Sequence, residues 1–404
     1  MNDLYESIMP SIPIADKMLT PFRANLILRR FRKWREHYEN LCSDRNLSYS
    51  EQETIQSVRR RLAKRGYTPS SKQIGTIHTY AFIPRTTWHS QLLDDLHELG
   101  RVSEFDYVSR GYTTRDLYMA ETPTLVNEMN ASAFEEVLSA HREEPIDWIF
   151  MYASGAELSP AFVRRIVDEI GVPMVLMSLD DKQSWDLGWI GRSHRRGQID
   201  LTPCVDISWT TSRTTCGWHL SEGGRPLLQP EGTNANIYFP RNVPRDIEVS
   251  FVGQRYGFRS GVIRELSQHG LTVATFGKGW ETNRLSSEKL PEIYCRSNIN
   301  LGMGGIGFAE CLTNVKGRDF DVPCAGGGVY ITSFNPDLAT HFEIGKEIVC
   351  YGSRDELIEL VRHYLKNGEE GRSISARART RCLQEHRWLH RYIKICQVLG
   401  IIDR

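Results

Sequence analysis

No stretch of this 404-residue sequence approaches the roughly 18–20 consecutive apolar residues that a membrane-spanning helix needs. The opening MNDLYESIMPSIPIADK has neither a basic n-region nor an apolar h-region, so no secretory leader is expected. Net charge is absent too. Lys+Arg and Asp+Glu each number 50, which excludes a protein-wide basic field for holding nucleic acid and leaves only local ones. Nine cysteines (42, 204, 216, 295, 311, 324, 350, 382, 396) form no CxxC pair and no regular spacing, which excludes a zinc ribbon or a disulfide framework. An odd, scattered set reads as reduced buried thiols in a reducing compartment such as the cytoplasm. Internal repeats and low-complexity tracts are also missing.

What is present is a balance of 40% hydrophobic and 25% charged residues, that of a soluble globular protein long enough for two domains of about 150–200 residues. Residues 1–72 carry 14 Lys/Arg against 8 Asp/Glu, a net of +6, so the remainder sums to −6. This segment reads as a basic helical extension, with one helix over Phe22–Glu39 and another over Glu53–Arg65 ending before the breaker Gly66. From Gln73 short apolar runs alternate with amphipathic stretches. Strands are expected at Ile74–Ile83, Phe105–Val108, Trp148–Tyr152, Met174–Ser178, Val205–Thr210 and Pro226–Gln229, with helices at Trp88–Leu99, Ala133–His141 and Pro160–Ile170. The alternation restarts after the Pro/Asn-rich stretch Asn236–Pro244. Strands are expected at Glu248–Val252, Thr272–Phe276, Asn298–Leu301, Gly328–Thr332 and Glu347–Tyr351, and helices at Arg259–His269, Leu290–Arg296, Arg354–Lys366, Glu370–Glu385 and Arg387–Leu399. The fold class is therefore α/β, with two Rossmann-like, doubly wound domains facing across a cleft: 73–240, then 241–386. Residues 387–404 are expected to add a last helix, with Leu389, Tyr392, Ile393 and Cys396 on one apolar face at helical spacing. Such sheets take ligands at the C-terminal ends of their strands.

The richest stretch, VSFVGQRYGFRSGVIRELSQHGLTVATFGKGW (249–280), ends a buried strand at Gly253, places Arg255 and Gly257 in a short loop and starts a helix near Arg259. A glycine there lets a ligand reach the backbone, and a helix N-terminus offers unpaired N–H groups to an anion. Arg255 and Arg259 suit a diphosphate, and the next strand ends in a second glycine turn around Lys278. Both turns are equally what any α/β protein uses. Further on, NVKGRDFDVPCAGGGVYIT (314–332) sets Lys316, Arg318, Asp319 and Asp321 before a glycine run. A carboxylate near a helix start can accept ribose hydroxyls, while Arg318–Asp321 as a mere ion pair would contribute only ~0–1 kcal/mol. Asp319-Phe320-Asp321 also imitates the metal-binding Asp-x-Asp of some transferases, but it sits late in the second α/β unit instead of ending a strand in the first, so no metal site is assigned.

The succession FVGxRYxxR, GKGW, EIYCRSNINLG, KGRDFDVPCAGG, SFNPDLATHFEIGKEIVCYGSRDELIELVRHYL and EHRWLHRY resembles the C-terminal half of the CgeB-like, spore-maturation-type glycosyltransferases. The resemblance covers nearly all of 247–392; TTWHSQLLDDLHELG, DWIFMYASG and MSLDD are similar to the N-terminal domain that accompanies it. It implies a GT-B fold whose last helix, in 387–404, crosses the domain junction, and transfer of a sugar from a nucleoside-diphosphate sugar, UDP-sugar foremost, to an acceptor hydroxyl, with no further cofactor. By position it implies a donor site of Gly253, Gln254, Arg255, Arg259, Gly277, Lys278, Lys316 and Arg318, with Asp321 on the ribose where relatives carry Glu. Arg259 and Arg318 would stabilise the leaving diphosphate without a metal. A sugar-nucleotide epimerase on the same fold and a non-catalytic binding protein are the alternatives.

On the acceptor side, Ser154–Gly155 ends one strand and Asp180–Asp181 the next. Asp181 or Asp180 could act as general base, or the pair could cap the following helix or turn. His78 is either a catalytic or a buried structural histidine, and Trp185, Trp189 and Trp218 could stack on a sugar or belong to the core. Basic residues at Arg29–Arg35 and Arg59–Arg65 could steer a polyanionic acceptor, brace the first domain or touch an anionic membrane.

Overall fold

The computed structural model describes residues 13–69, 71–85, 90–281, 285 and 289–403. Residues 1–12, part of the segment read for a leader, and Trp88 and His89 of the helix expected at Trp88–Leu99 lie outside the described residues. The chain forms two compact units. One is Phe31–Pro230 with the chain from Arg391 on; the other is Glu231–His390 with the part of the N-terminal helix before Phe31.

In the first unit the strands are β1 (Thr79–Phe82), β2 (Val102–Phe105), β3 (Trp148–Tyr152), β4 (Met174–Ser178), β5 (Trp189–Ile190), β6 (His194–Arg195), β7 (Ile207–Thr210) and β8 (Pro226–Leu228). Six of them make an all-parallel sheet in the order β2-β1-β3-β4-β7-β8, and β5–β6 is a separate antiparallel hairpin. WIFMY and MVLMS are continuously apolar because helices cover both faces of the sheet, and both strands are almost wholly buried. Pro160–Glu169 starts on a Ser159 hydroxyl that accepts the Phe162 N–H, and it turns Phe162, Val163 and Ile166 into the core.

The second of the two leading helices, Glu51–Lys64, opens on Ser50, whose hydroxyl accepts the Glu53 N–H. Its basic residues are largely engaged within the fold. Arg61 donates to Asp206 at 2.9 Å and to the Cys204 carbonyl, Arg65 pairs with the same carboxylate at 3.2 Å, and Arg59 caps carbonyls of Gln397 and Val398. Asp206 itself is fully buried. Of the Arg59–Arg65 run, Arg59, Arg61 and Arg65 therefore brace the fold, while Arg60 and Lys64 are exposed. Arg29, Arg32 and Lys33, on the preceding helix Pro13–Asp44, remain exposed.

The second unit contains β9 (Ile247–Val252), β10 (Ala274–Phe276), β11 (Ser297–Leu301), β12 (Gly305–Ile306), β13 (Ala309–Thr313), β14 (Val329–Ser333) and β15 (Val349–Tyr351). Its parallel sheet runs β10-β9-β11-β14-β15, with β12–β13 as an antiparallel hairpin after β11. Numbered within the unit this is the order 2-1-3-4-5, whose direction of winding reverses between β9 and β11. A ligand crevice is expected at that switch point, beyond the strand C-termini. Val249, Phe251, Ile299 and Ile331 pack one face of the sheet, and Val252, Phe320, Tyr330 and Cys324 the other. All nine cysteines are free thiols, and no helix among the described residues is long and apolar enough to cross a membrane.

Candidate functional site

β9 runs straight into Gly253 at the switch point. A Cβ there would lie 2.8 Å from Arg318 Nη2, 3.0 Å from the Phe251 ring and 3.4 Å from Arg259 Nη1, so the missing side chain is replaced by two guanidinium groups. The adjoining turn is zipped to it. Gly253 N–H donates to the Phe276 carbonyl at 2.8 Å, Arg255 N–H to the Lys278 carbonyl at 2.9 Å, and the Trp280 indole to the Gly253 carbonyl. Gly277 sits at φ +126°, where its Cα passes the Gly253 backbone too closely for any side chain. Gly253, Gln254, Arg255, Gly277 and Lys278 are thus one structure, with Arg255 and Lys278 exposed.

Arg259 opens the helix Arg259–Gln268, whose first turn has no side-chain cap. Only 5% of this residue is exposed. Its Nη1 donates to the Gln254 carbonyl at 3.0 Å, while its Nε has no partner. Burial pulls its pKa down to about 10, with the neighbouring Arg318 adding to the effect. Arg318 opens the helix Arg318–Ala325, also without a side-chain cap, and lies half-buried over the Phe251 ring. Desolvation works against its charge, but Tyr330, Tyr294 and Asp319 around it outweigh that and raise its pKa. Among the described residues neither arginine makes an ion pair. The adjacent Asp319 is occupied by the Tyr330 hydroxyl at 2.6 Å and the Lys316 N–H at 2.8 Å. Arg259, a buried cation with no carboxylate paired to it among the described residues, costs on the order of several kcal/mol unless an anion joins it.

Asp321 points elsewhere, accepting the Thr233 hydroxyl at 2.9 Å, and burial pushes its pKa up to about 7. Sequence reasoning missed Glu231, whose carboxylate lies 2.9 Å from where a Gly317 Cβ would stand, with Asp321 at 3.9 Å from the same point. Glu231 is 86 positions before Gly317, so no local motif announces it. Asp319 and Asp321 serve different partners and do not converge as an Asp-x-Asp pair would. Among the described residues no three His, Cys, Asp or Glu side chains cluster as a metal site.

Of the acceptor candidates in the first unit, Ser154, Gly155 and Asp181 are buried and Asp180 is half-buried. Ser154 is buried, its hydroxyl donating to Glu157 at 2.6 Å and meeting the Tyr118 hydroxyl at 2.8 Å. Gly155 lies so close to the Arg195 carbonyl that no Cβ fits, a backbone packing requirement. Asp180 is the N-cap residue of Asp181–Ser184, but its side chain makes no capping bond. Asp181 is almost wholly buried and accepts from Ser178, from Thr210 at 2.5 Å, from Thr215 at 3.1 Å and from His219 Nε2 at 3.1 Å. Burial by itself would raise its pKa, yet His219 and these hydroxyls outweigh that and leave it lowered. With hydrogen bonds to both oxygens, Asp181 holds the ends of β4 and β7 together from a buried position. His78 is likewise structural, bonded to the Glu144 carbonyl and the Ser103 hydroxyl, with burial lowering its pKa. Trp185 and Trp218 are buried in an aromatic cluster with Phe31, Trp34 and Tyr38. Trp189 alone of the three is exposed, at 52%, on the β5–β6 hairpin with Arg195 over its ring.

Residues 259–397 match a family model described as glycosyl transferase-like. No curated protein matches the sequence significantly. Among solved structures, sucrose-phosphate synthase from Thermosynechococcus elongatus aligns over 80% of this chain and 98% of its own, with a TM-score of 0.57 and 12% identity. HepE of Anabaena, in complex with UDP and glucose, aligns over 80% of this chain and 99% of its own, with a TM-score of 0.54 and 10% identity. The fold is GT-B, and the second unit carries the glycosyl transferase-like match.

Proposed function

We propose that the protein is a glycosyltransferase of the CgeB-like kind, taking its sugar from a nucleoside-diphosphate donor, UDP-sugar foremost, bound in the second unit. The observation that carries this reading is the Arg259–Arg318 pair over Gly253 at the switch point, two guanidinium groups that make no ion pair among the described residues. HepE, of the same fold, is described with UDP, which fits a diphosphate in this position. The diphosphate oxygens would take the place over Gly253, with the first turns of both helices adding N–H groups. Asp321 and Glu231 beside Gly317 would receive the ribose hydroxyls, and Gly277 and Lys278 would flank the rest of the nucleotide.

In the reaction the bond from the sugar anomeric carbon to the terminal phosphate oxygen breaks, and its electron pair stays on the diphosphate. An acceptor hydroxyl forms the new bond, and its proton leaves to a base or to water. Charge grows on the diphosphate as the bond stretches, so prepositioned guanidinium groups stabilise that state more than the intact donor, and transfer proceeds without a metal. The first unit would bind the acceptor, with the exposed Trp189 face offering a stacking surface. The test is a donor panel read by melting temperature. A ligand at 100 times its Kd stabilises by about 2.7 kcal/mol, so the true donor stands out by several degrees. Release of free nucleoside diphosphate only when acceptor is added identifies a transferase; release without acceptor, together with a free sugar inverted at one ring carbon, identifies an epimerase. No shift with any nucleoside diphosphate or nucleotide sugar refutes the donor site.

A further inference from the structure

The donor arginines are the inner rungs of a longer stack. Arg318 lies 5.3 Å from the Phe251 ring centroid, and Arg259 covers the same ring at 5.6 Å. Arg259 is itself covered by Tyr256 at 4.2 Å, Tyr256 meets Phe308 edge-on at 6.1 Å, and Arg23 lies over Phe308 at 5.1 Å. Cations and aromatic rings so connect the N-terminal helix to the interior of the site. All six residues belong to the second unit, because the helix segment before Phe31 groups with it.

Each contact has a local cause. A guanidinium offers its edge to hydrogen bonds and its faces to rings, so a phosphate-binding arginine can be clamped by aromatics without losing donors. Tyr256 stands on the loop after β9 and needs something to hold its ring against Arg259. Phe308 supplies it from the turn of the β12–β13 hairpin. Gly257, at φ +56°, lets the Phe308 backbone come to 3.1 Å from where a Cβ would be, and Gly305 seats against the Phe258 ring on the same turn. Phe308 is only 8% exposed although it sits on a hairpin turn, and Arg23 is one of the groups over it.

We propose that Arg23 is a positioning residue of the donor site. It holds Phe308 and the hairpin against Tyr256, and through Tyr256 it fixes the face of Arg259, so that the N-terminal helix is part of the nucleotide-binding machinery. The proposal rests on the donor reading above. It gives the basic N-terminal helix a function that neither bracing of the first unit nor acceptor docking supplies.

The experiment measures UDP affinity by titration calorimetry on the full chain, alongside the melting temperature without ligand. Arg23→Ala and Phe308→Leu should each weaken UDP binding by about threefold to tenfold, the scale of a cation–π contact, while Arg23→Lys should restore most of the loss. In an Arg259→Ala background, Arg23→Ala should have no further effect, because Arg23 acts through Arg259. Wild-type affinity in Arg23→Ala, or a full additional loss in the double variant, overturns the proposal and leaves the donor site standing. If Arg23→Ala is too unstable to titrate, Arg23→Lys and Phe308→Leu decide. Wild-type affinity in Phe308→Leu, or failure of the lysine to bind better than Phe308→Leu, overturns it equally. A wild-type protein that binds no nucleoside diphosphate overturns both readings together.

Discussion

Arg259 has been given a place that is costly without a ligand, and that gives its substitution opposite effects on stability and binding. Arg259→Met removes a buried, unpaired cation and keeps much of the aliphatic volume. The unliganded melting temperature should therefore stay level or rise, by the order of 1 kcal/mol or more. UDP binding should weaken by about 1.5–3 kcal/mol, the scale of hydrogen bonds to a charged group. Melting curves with and without UDP check both, and a lower unliganded temperature with an unchanged UDP shift would contradict the assignment. Asp321 sets a pH dependence at the same site. Its pKa is raised from 3.8 to about 7 in the folded protein, so the unfolded chain gives up this proton first as pH rises. Its contribution accordingly falls between about pH 4 and pH 7 and is constant outside that window. Asp321→Asn should gain stability over wild type progressively across that interval, as read by urea denaturation at several pH values. Its UDP affinity should lose the rise toward pH 7 that an ionising ribose acceptor gives. Arg255, Arg259 and Arg318 were visible in sequence as a cluster because glycines at strand ends mark where side chains can close over the backbone. Arg23 and Glu231 were not, since folding alone brings them there from distant positions.

Elements with one dominant physical cause were the legible ones. WIFMY and MVLMS became β3 and β4 without a residue's difference, because an unbroken apolar run buried on both faces has few other fates. Leu290–Arg296 and Arg354–Lys366 also fall as expected, the latter opening on a Ser353 cap. The strand expected at Ile74–Ile83 shrinks to Thr79–Phe82, since Gly75 takes φ +95° in a turn. The helix expected at Ala133–His141 extends to Thr124–Glu143. Its early polar Asn130 is buried and donates to the Glu157 carbonyl, a partner that periodicity cannot reveal. The helix Arg213–Ser221 went unread because Thr215, Cys216, Trp218 and His219 are all buried, leaving no polar face and no period. Bracing by Glu51–Lys64 makes a sharp prediction at this scale. Asp206→Ala leaves Arg61 and Arg65 without their carboxylate and removes the acceptor of the Met174 N–H, so about 3–5 kcal/mol of stability should be lost in denaturant titration. Changing exposed Arg29, Arg32 and Lys33 to Gln should move stability by less than ~0.5 kcal/mol. If these three steer a polyanionic acceptor, the salt dependence of its KM should flatten in that variant.

At the scale of the whole molecule, the C-terminal segment returns the chain to the unit where most of its first half lies. The helix is Trp388–Leu399, and the unit boundary falls within it, after His390. Trp388 and Arg387 pair through the backbone with Thr233 in the second unit, beside the Asp321 contact. From Arg391 the helix belongs to the first unit. Tyr392 has no exposed surface there, donates to the Leu92 carbonyl at 3.1 Å, and packs its ring near Trp148, Phe150 and Trp209. Ile395, Cys396, Val398 and Leu399 are buried with it, whereas Leu389 and Ile393, expected on the same apolar face, are only half-buried. From Arg391 the helix thus completes the first unit's core, while its first turn is bonded beside Asp321 in the second unit. Tyr392→Ala should therefore cost about 3–5 kcal/mol, as large aromatic truncations in cores do. Because the damage lies in the first unit, UDP affinity measured well below the melting temperature should stay within about twofold of wild type. Deleting 387–404 removes the Arg387 and Trp388 backbone pairing as well, and should lower both stability and UDP affinity. Limited proteolysis with UDP titration of the two proteins distinguishes the cases. A truncated chain with wild-type melting and wild-type UDP affinity would show that the last helix serves neither unit.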